Sequence, residues 1–333
     1  MTAGAGDLDR HLESFRNDVD NLRRELAKRL VGRQEAVDRV LAALLSGGHV
    51  LLEGLPGSGK TYLARTLADV MDITFRRIQC TPDLMPTDII GTYVIMETPQ
   101  GRRTFEFHKG PLFGNVVLVD QVNRAMPKTQ SAMLEAMDEE AISVSTESFP
   151  LPRPFLMIAT QNPGDFEGTY LLPAAQLDRF FFKIALPPFS PEQTDQVLER
   201  AVSSEKVPAR KVVDCHRLVE MGEAVRKAAV PPEVRRWAAA LIQATQPSSP
   251  QAPELVRRYV RCGSGVRGAI AMVSGGKALA MLEGRTRATA ADLRGLAHAA
   301  LAHRLVLSFE GQADGVQPEA IVDAVLAAVP APA

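Results

Sequence analysis

Cysteine is scarce in this chain. Cys80, Cys215 and Cys262 are widely spaced and none stands in a C-x-x-C pair. Such isolated thiols read as reduced, packed residues of a cytosolic protein and argue against a metal site built on them. Charge of one sign is missing too. The net charge is −1, so no global field draws the protein to nucleic acid or an anionic membrane. Aromatic residues make up only 5% of the chain, and no basic-aromatic stripe of the kind that binds single strands stands out. No apolar run approaches the ~20 residues of a membrane span. Residues Met1 to Asp7 lack a basic segment followed by an apolar one, so they do not read as a secretory signal. Internal repeats are absent as well. These absences lead to the expectation of a cytoplasmic protein with no membrane span and no nucleic-acid partner.

What is present is ordinary in bulk and specific in detail. A chain of 333 residues, 46% hydrophobic and 23% charged, fits a globular protein of about two domains. One stretch decides its chemistry. Gly54-Leu55-Pro56-Gly57-Ser58-Gly59-Lys60-Thr61 fits G-x-x-x-x-G-K-[ST], the loop that cradles nucleotide phosphates. The apolar run His49 to Glu53 leads in as a strand, and Tyr62 to Ala68 leads out at helical spacing. Glycines let successive backbone N–H groups curl around an anion, and a helix N-terminus adds partial positive charge. Lys60 is placed to reach the β/γ phosphates and Thr61 to put its hydroxyl on Mg²⁺. Residues Pro56 to Tyr62, with Gly54, are the expected binding loop for a nucleoside triphosphate.

Composition divides the chain. Residues 1–30 form an N-terminal segment in which Leu8 to Leu30 are charged and periodic, predicting an exposed helix or pair of helices. Residues 31–187 alternate strands and helices. The strand candidates are His49–Glu53, Ile73–Cys80, Asn115–Asp120, Phe155–Thr160 and Phe180–Leu186, each short and apolar as in a parallel sheet covered on both faces. The expected fold is therefore α/β, a five-stranded parallel sheet between helices. Hairpin inserts are predicted near 92–107, with a turn at Pro99-Gln100-Gly101, and near 141–154. Residues 188–333 predict a smaller all-α domain. It opens with Ser190 as N-cap, Pro191 at the first helical position and Gln193 closing a capping box. Val234, Trp237, Leu241 and Ile242 share one helix face further on, and Thr289 with Asp292 caps another helix.

Four more positions bear on the chemistry. Asp120 ends an apolar strand, where a carboxylate can hold the waters of Mg²⁺; the plainer reading is a turn-forming Asp. Asn162 ends another strand and can orient an attacking water, or simply cap a turn before Pro163. Arg179 either reaches the γ-phosphate of a neighbouring subunit or pairs with Asp178 or another acid of its own chain. Arg267 sits in the first turn of a helix, where a cation opposes the helix dipole; it serves a phosphate contact or is solvated.

In order and type these residues resemble the AAA+ ATPases. More narrowly, Asn123 to Met137, Ala159 to Pro163 and Glu167 to Phe180 resemble the MoxR group, with support from Gly284-Arg285 and His303-Arg304. The resemblance covers about residues 31–304. It implies that Gly54 to Thr61 is Walker A, Asp120 the Walker B acid and Asn162 sensor 1. Arg179 is then the finger acting in trans, Arg267 sensor 2, and Val31 and Gly32 lie against adenine. ATP and Mg²⁺ are the implied cofactors. A hexameric ring is implied, with a chaperone-like remodelling activity, a partner carrying a von Willebrand A domain, and the Tyr93–Phe107 hairpin facing the central pore. The chain departs from the family at Gln121, where the pattern has the glutamate that polarises water. A neutral amide hydrogen-bonds water but cannot accept its proton, so binding survives and turnover is expected to fall. Three accounts stay open: a naturally slow ATPase working as a nucleotide-gated scaffold, a base supplied by another subunit or a partner, or a substitution introduced to hold the ATP-bound ring. A chelatase-like or nucleic-acid motor of the same clade is the alternative class.

Overall fold

The computed structural model describes residues 3–97, 103–144, 146–162, 168–202, 208 and 210–332. The chain opens with helix α1 (Ala3–Arg29) and α2 (Gln34–Leu45), then strand β1 (Val50–Glu53), α3 (Lys60–Val70), β2 (Phe75–Gln79) and α4 (Pro86–Ile90). A hairpin, β3 (Gly91–Glu97) and β4 (Arg103–Lys109), precedes β5 (Val116–Asp120) and α5 (Pro127–Glu139). A second hairpin, β6 (Ala141–Val144) and β7 (Glu147–Pro150), is followed by β8 (Leu156–Gln161), α6 (Ala174–Leu177) and β9 (Phe182–Ala185). All five expected core strands form, and they pair in parallel in the order β2-β5-β8-β1-β9. Val116 to Val119 and Leu156 to Ala159 are fully buried, as strands covered on both faces must be.

The helical half contains α7 (Pro191–Val202), α8 (Cys215–Lys227), α9 (Pro232–Ala244) and α10 (Glu254–Tyr259). A short strand β10 (Val260–Cys262) follows, then α11 (Val266–Leu282), α12 (Ala290–Leu301), β11 (Val306–Leu307), α13 (Phe309–Ala313) and α14 (Pro318–Ala328). Helix α7 starts as its sequence dictates. The Gln193 N–H donates to Ser190 Oγ at 3.2 Å and Gln193 Oε1 accepts from the Ser190 N–H at 3.1 Å. Thr289 and Asp292 cap α12 in the same reciprocal way. Val234, Trp237, Leu241 and Ile242 are buried together on α9. The region is not wholly helical, however: β10 pairs antiparallel with β11, which lets two loop segments satisfy each other's backbone groups.

Two expectations are corrected. The N-terminal segment is one helix, and it is not an exposed one. Phe15, Val19, Leu22 and Leu26 recur at helical spacing and are all 3% exposed or less, inside the cluster that also holds α2, α3 and the sheet. Charges between these positions hide the stripe in a reading by composition. The second hairpin begins its return strand at Glu147 and ends at Pro150, short of the expected limit at 154. The Pro99-Gln100-Gly101 turn lies outside the described residues. The two hairpins are also one unit. Phe107 of β4 stacks on Phe149 of β7 with ring centres 4.4 Å apart, and Tyr93 Oη donates to Glu147 at 2.6 Å. Among the described residues no helix is long and apolar enough to cross a membrane.

Candidate nucleotide site

The strand order builds the site. β1 lies between β8 and β9, and β8 separates it from β5, so the chain segments leaving β1, β8 and β5 emerge side by side at one sheet edge. The loop after β1 is tied to β8 by the Gly54 N–H donating to the Gln161 carbonyl at 3.4 Å. Gly57 and Gly59 take φ of 81° and 88°. Space does not require glycine there: a Cβ on Gly57 would meet nothing within 4 Å, and one on Gly59 only the Phe189 ring at 4.0 Å. The left-handed backbone requires it. Residues 56–62 line a cleft of about 370 Å³ together with Asp120, Gln121 and Asn162, a volume suited to a small ligand.

Lys60 starts α3 and is buried. Its ammonium donates to the Gly54 carbonyl at 2.7 Å, the Leu55 carbonyl at 3.0 Å and Asn162 Oδ1 at 3.0 Å, so all three protons are engaged. Burial lowers its pKa below the usual lysine value, and Asp120 opposes that shift. Asp120 ends β5. Its Oδ1 accepts from the Thr160 hydroxyl at 2.8 Å, and its Oδ2 meets Arg77 Nη2 at 2.6 Å. Gln121 follows directly in the left-handed region at φ 58°, and its N–H donates to Thr160 Oγ1 at 2.9 Å. A non-glycine residue there costs about 1–2 kcal/mol, strain of the kind held at functional sites. The sharp turn ends the strand and sets the side chain at the cleft.

The residues present fit a nucleotide and its metal. Ser58 Oγ is buried with no hydrogen-bond partner among the described residues, beside a backbone cradle that opens an eleven-residue helix. Mg²⁺ needs no protein cage, because it keeps waters and takes one or two protein oxygens plus phosphate oxygens. Thr61 and Asp120 line the same cleft and would hold the ion, Thr61 through its hydroxyl and Asp120 through the waters of the metal.

The other expected positions fall outside the cleft lining. Val31 is buried, and Gly32 lies beneath the Gln193 side chain of α7, which occupies the place of a Cβ. Arg33 beside them donates to the Ser58 carbonyl at 3.0 Å and the Pro187 carbonyl at 2.8 Å, with its guanidinium 4.0 Å over the Phe189 ring. Burial lowers its pKa. Arg179 Nη1 pairs with Asp138 Oδ2 at 3.3 Å, not with Asp178. Arg267 shares that partner, with Nη2 3.8 Å from Asp138 Oδ1, and places Nη1 3.5 Å from Asp178 Oδ2. Buried Arg304 holds Asp178 Oδ1 at 2.9 Å.

Similarity to known proteins follows the same plan. A family model described as "ATPase family associated with various cellular activities (AAA)" matches residues 49–182, and an AAA lid domain model matches 254–325. Chaperone MoxR1 of Mycobacterium tuberculosis is 38% identical over 323 residues, 96% of this chain and 85% of that one. The chain belongs to the MoxR family of AAA+ ATPases. Protein MoxR of Methylorubrum extorquens is 29% identical over 343 residues, covering 97% of this chain and 98% of its own. A solved structure from Cytophaga hutchinsonii, provisionally named an ATPase, matches with a TM-score of 0.91 at 34% identity, over 98% of this chain and 99% of that one.

In this MoxR-family chain the structure brings Gly54, Lys60, Asp120, Gln121 and Asn162 together, as their motifs imply. Arg77, Thr160 and Arg33 at the site went unnoticed in the sequence. Arg77 and Asp120 are 43 residues apart, and only the pairing of β2 with β5 makes them neighbours. Thr160 carried two hints, its place at the end of an apolar strand and its place inside the Ala159 to Pro163 motif, and Arg33 one, that of adjoining the Val31-Gly32 pair.

Proposed function

We propose that this chain binds Mg²⁺–ATP in the cleft and works as a hexameric ring that remodels protein complexes, with hydrolysis slowed by Gln121. The convergence of Lys60, Asp120, Gln121 and Asn162 on one cleft carries this reading. Lys60 and the glycine loop would hold the phosphates, Thr61 and Asp120 the metal, and Asn162 the attacking water. Val31 and Gly32, next to the Arg33 that donates to the Ser58 carbonyl, would contact the base. Gln121 stands where a general base would act and cannot take a proton, which is worth ~10²–10⁴ in rate. Arg179 and Arg267 meet at Asp138 and keep their side chains about a third and a half exposed. That exposure supports Arg179 reaching a neighbouring subunit's nucleotide as a finger in trans, while Arg267 would serve as sensor 2, moving with the helical lid. The name of the Mycobacterium tuberculosis relative, Chaperone MoxR1, supports a protein client. A von Willebrand A domain partner, a cytoplasmic location and domain limits at 1–30, 31–187 and 188–333 complete the proposal.

Gln121 itself favours a second reading, an ATP-gated assembly scaffold that does not hydrolyse. ATP turnover of the chain beside Gln121→Glu, with affinity and oligomer size measured for both, separates the two. At least a tenfold gain at equal affinity and assembly is expected. Two inactive proteins that bind ATP and assemble would make the scaffold the better account, and absence of ATP binding would sink both.

A further inference from the structure

We infer that Arg77 is a built-in rival of the metal ion for Asp120, a positioning residue that holds this carboxylate until Mg²⁺ displaces it. The inference rests on the reading of the cleft as a Mg²⁺–nucleotide site. β2 is an edge strand whose neighbour is β5, with Gln79 paired to Asp120 and Arg77 to Leu118. Alternation puts Arg77, Gln79, Leu118 and Asp120 on one face. Leu118 is fully buried and apolar and offers the guanidinium nothing, so Arg77 reaches along the sheet edge to Asp120. Its Nη2 lies 2.6 Å from Asp120 Oδ2 and 2.6 Å from Gln79 Oε1. The Thr160 hydroxyl holds the other oxygen, Oδ1. Both carboxylate oxygens are thus bonded within the protein, and Oδ2 is the one facing a cation.

Charge compensation explains why a cation is there. Asp120 is nearly buried, and Lys60 is committed to Gly54, Leu55 and Asn162. The Lys60 charge is felt by Asp120, but its protons are spent elsewhere. A buried carboxylate lacking a directly bonded counter-charge is costly, and Arg77 supplies that bond from the rim. The Arg77 side chain is 48% exposed, so the pair is weak and the guanidinium returns to water at little cost. A guanidinium and a metal-bound water cannot both take Oδ2 in the same direction. The Thr160 bond survives the exchange and keeps the carboxylate in place. Arg77 therefore raises the Mg²⁺ concentration at which nucleotide is clamped.

The test is a Mg²⁺ titration of fluorescent ATP-analogue binding, started in EDTA, for the parent, Arg77→Gln, Arg77→Met and Asp120→Asn. Circular dichroism melts establish that each variant is folded. Both Arg77 variants are expected to lower the half-saturating Mg²⁺ by roughly three- to fivefold, the range set by a partly exposed pair. An unchanged or higher Mg²⁺ requirement in either folded variant overturns the inference. Asp120→Asn tests the underlying reading separately. If its Mg²⁺ curve coincides with the parent's, Asp120 does not serve the metal and the site assignment falls. If it loses Mg²⁺ dependence while the Arg77 variants match the parent, only the rivalry falls.

Discussion

Gly59 stands between the cradle and the helix that Lys60 begins, and its role is conformational rather than steric. Its φ of 88° costs a side-chain-bearing residue about 1–2 kcal/mol, while a methyl group would touch only the far edge of Phe189. Gly59→Ala is therefore expected to fold, with a melting temperature near the parent's. The loop would relax toward negative φ and lose its convergent N–H groups. Nucleotide affinity should drop by about tenfold or more, a change of ~1.4 kcal/mol, in a fluorescence binding assay. An unchanged affinity would mean that the backbone conformation at Gly59 does not shape the site.

At the scale of elements, α1 is the informative case. Its charged sequence reads as solvated, yet one stripe is sealed against the core while Asp18 pairs with Arg217 and Arg23 with Asp38 at its flanks. A fully buried leucine contributes about 1.5–3 kcal/mol by transfer alone. Leu22→Ala should cost about 2–5 kcal/mol once the cavity is included, read as a lowered urea midpoint. Arg24→Ala, on the exposed face, should stay within about 0.5 kcal/mol. Equal effects from the two would mean that α1 is not part of the cooperative core. The two hairpins teach the same lesson, since stacking of Phe107 on Phe149 joins inserts that looked independent along the chain.

The whole molecule is sensitive to acid through two buried histidines. His49 bridges the sheet and the end of α5: one ring nitrogen lies 3.1 Å from the Met137 carbonyl and the other accepts from the Met157 N–H at 3.1 Å. Burial pushes its pKa from 6.5 to about 4. His303, beside the Phe180 carbonyl, is driven down chiefly by burial and further by Arg304. Both are neutral when folded, whereas the unfolded chain takes up protons near pH 6.5. Stability is thus fully present above pH 6.5 and is lost as pH falls toward 4, by roughly 3 kcal/mol for His49. Urea midpoints measured from pH 7.5 to 4.5 should fall, and more gently in His49→Gln if that variant stays folded at pH 7.5. A parallel profile for the variant would remove His49 from the account.

The sequence by itself determined the five core strands, the phosphate loop, the helix caps at Ser190 and Thr289, and the family. Each of these is written in local spacing: apolar runs of strand length, a glycine motif between strand and helix, and capping residues three apart. Only the tertiary structure decided the burial of α1, because its stripe has meaning only once a partner surface exists. It alone brought Arg179 and Arg267 from separate halves of the chain to Asp138, and Arg77 to Asp120. Strand order is not encoded in any one segment. It arises when all five strands compete to bury their faces together, and the ion pairs at the site are consequences of that global solution.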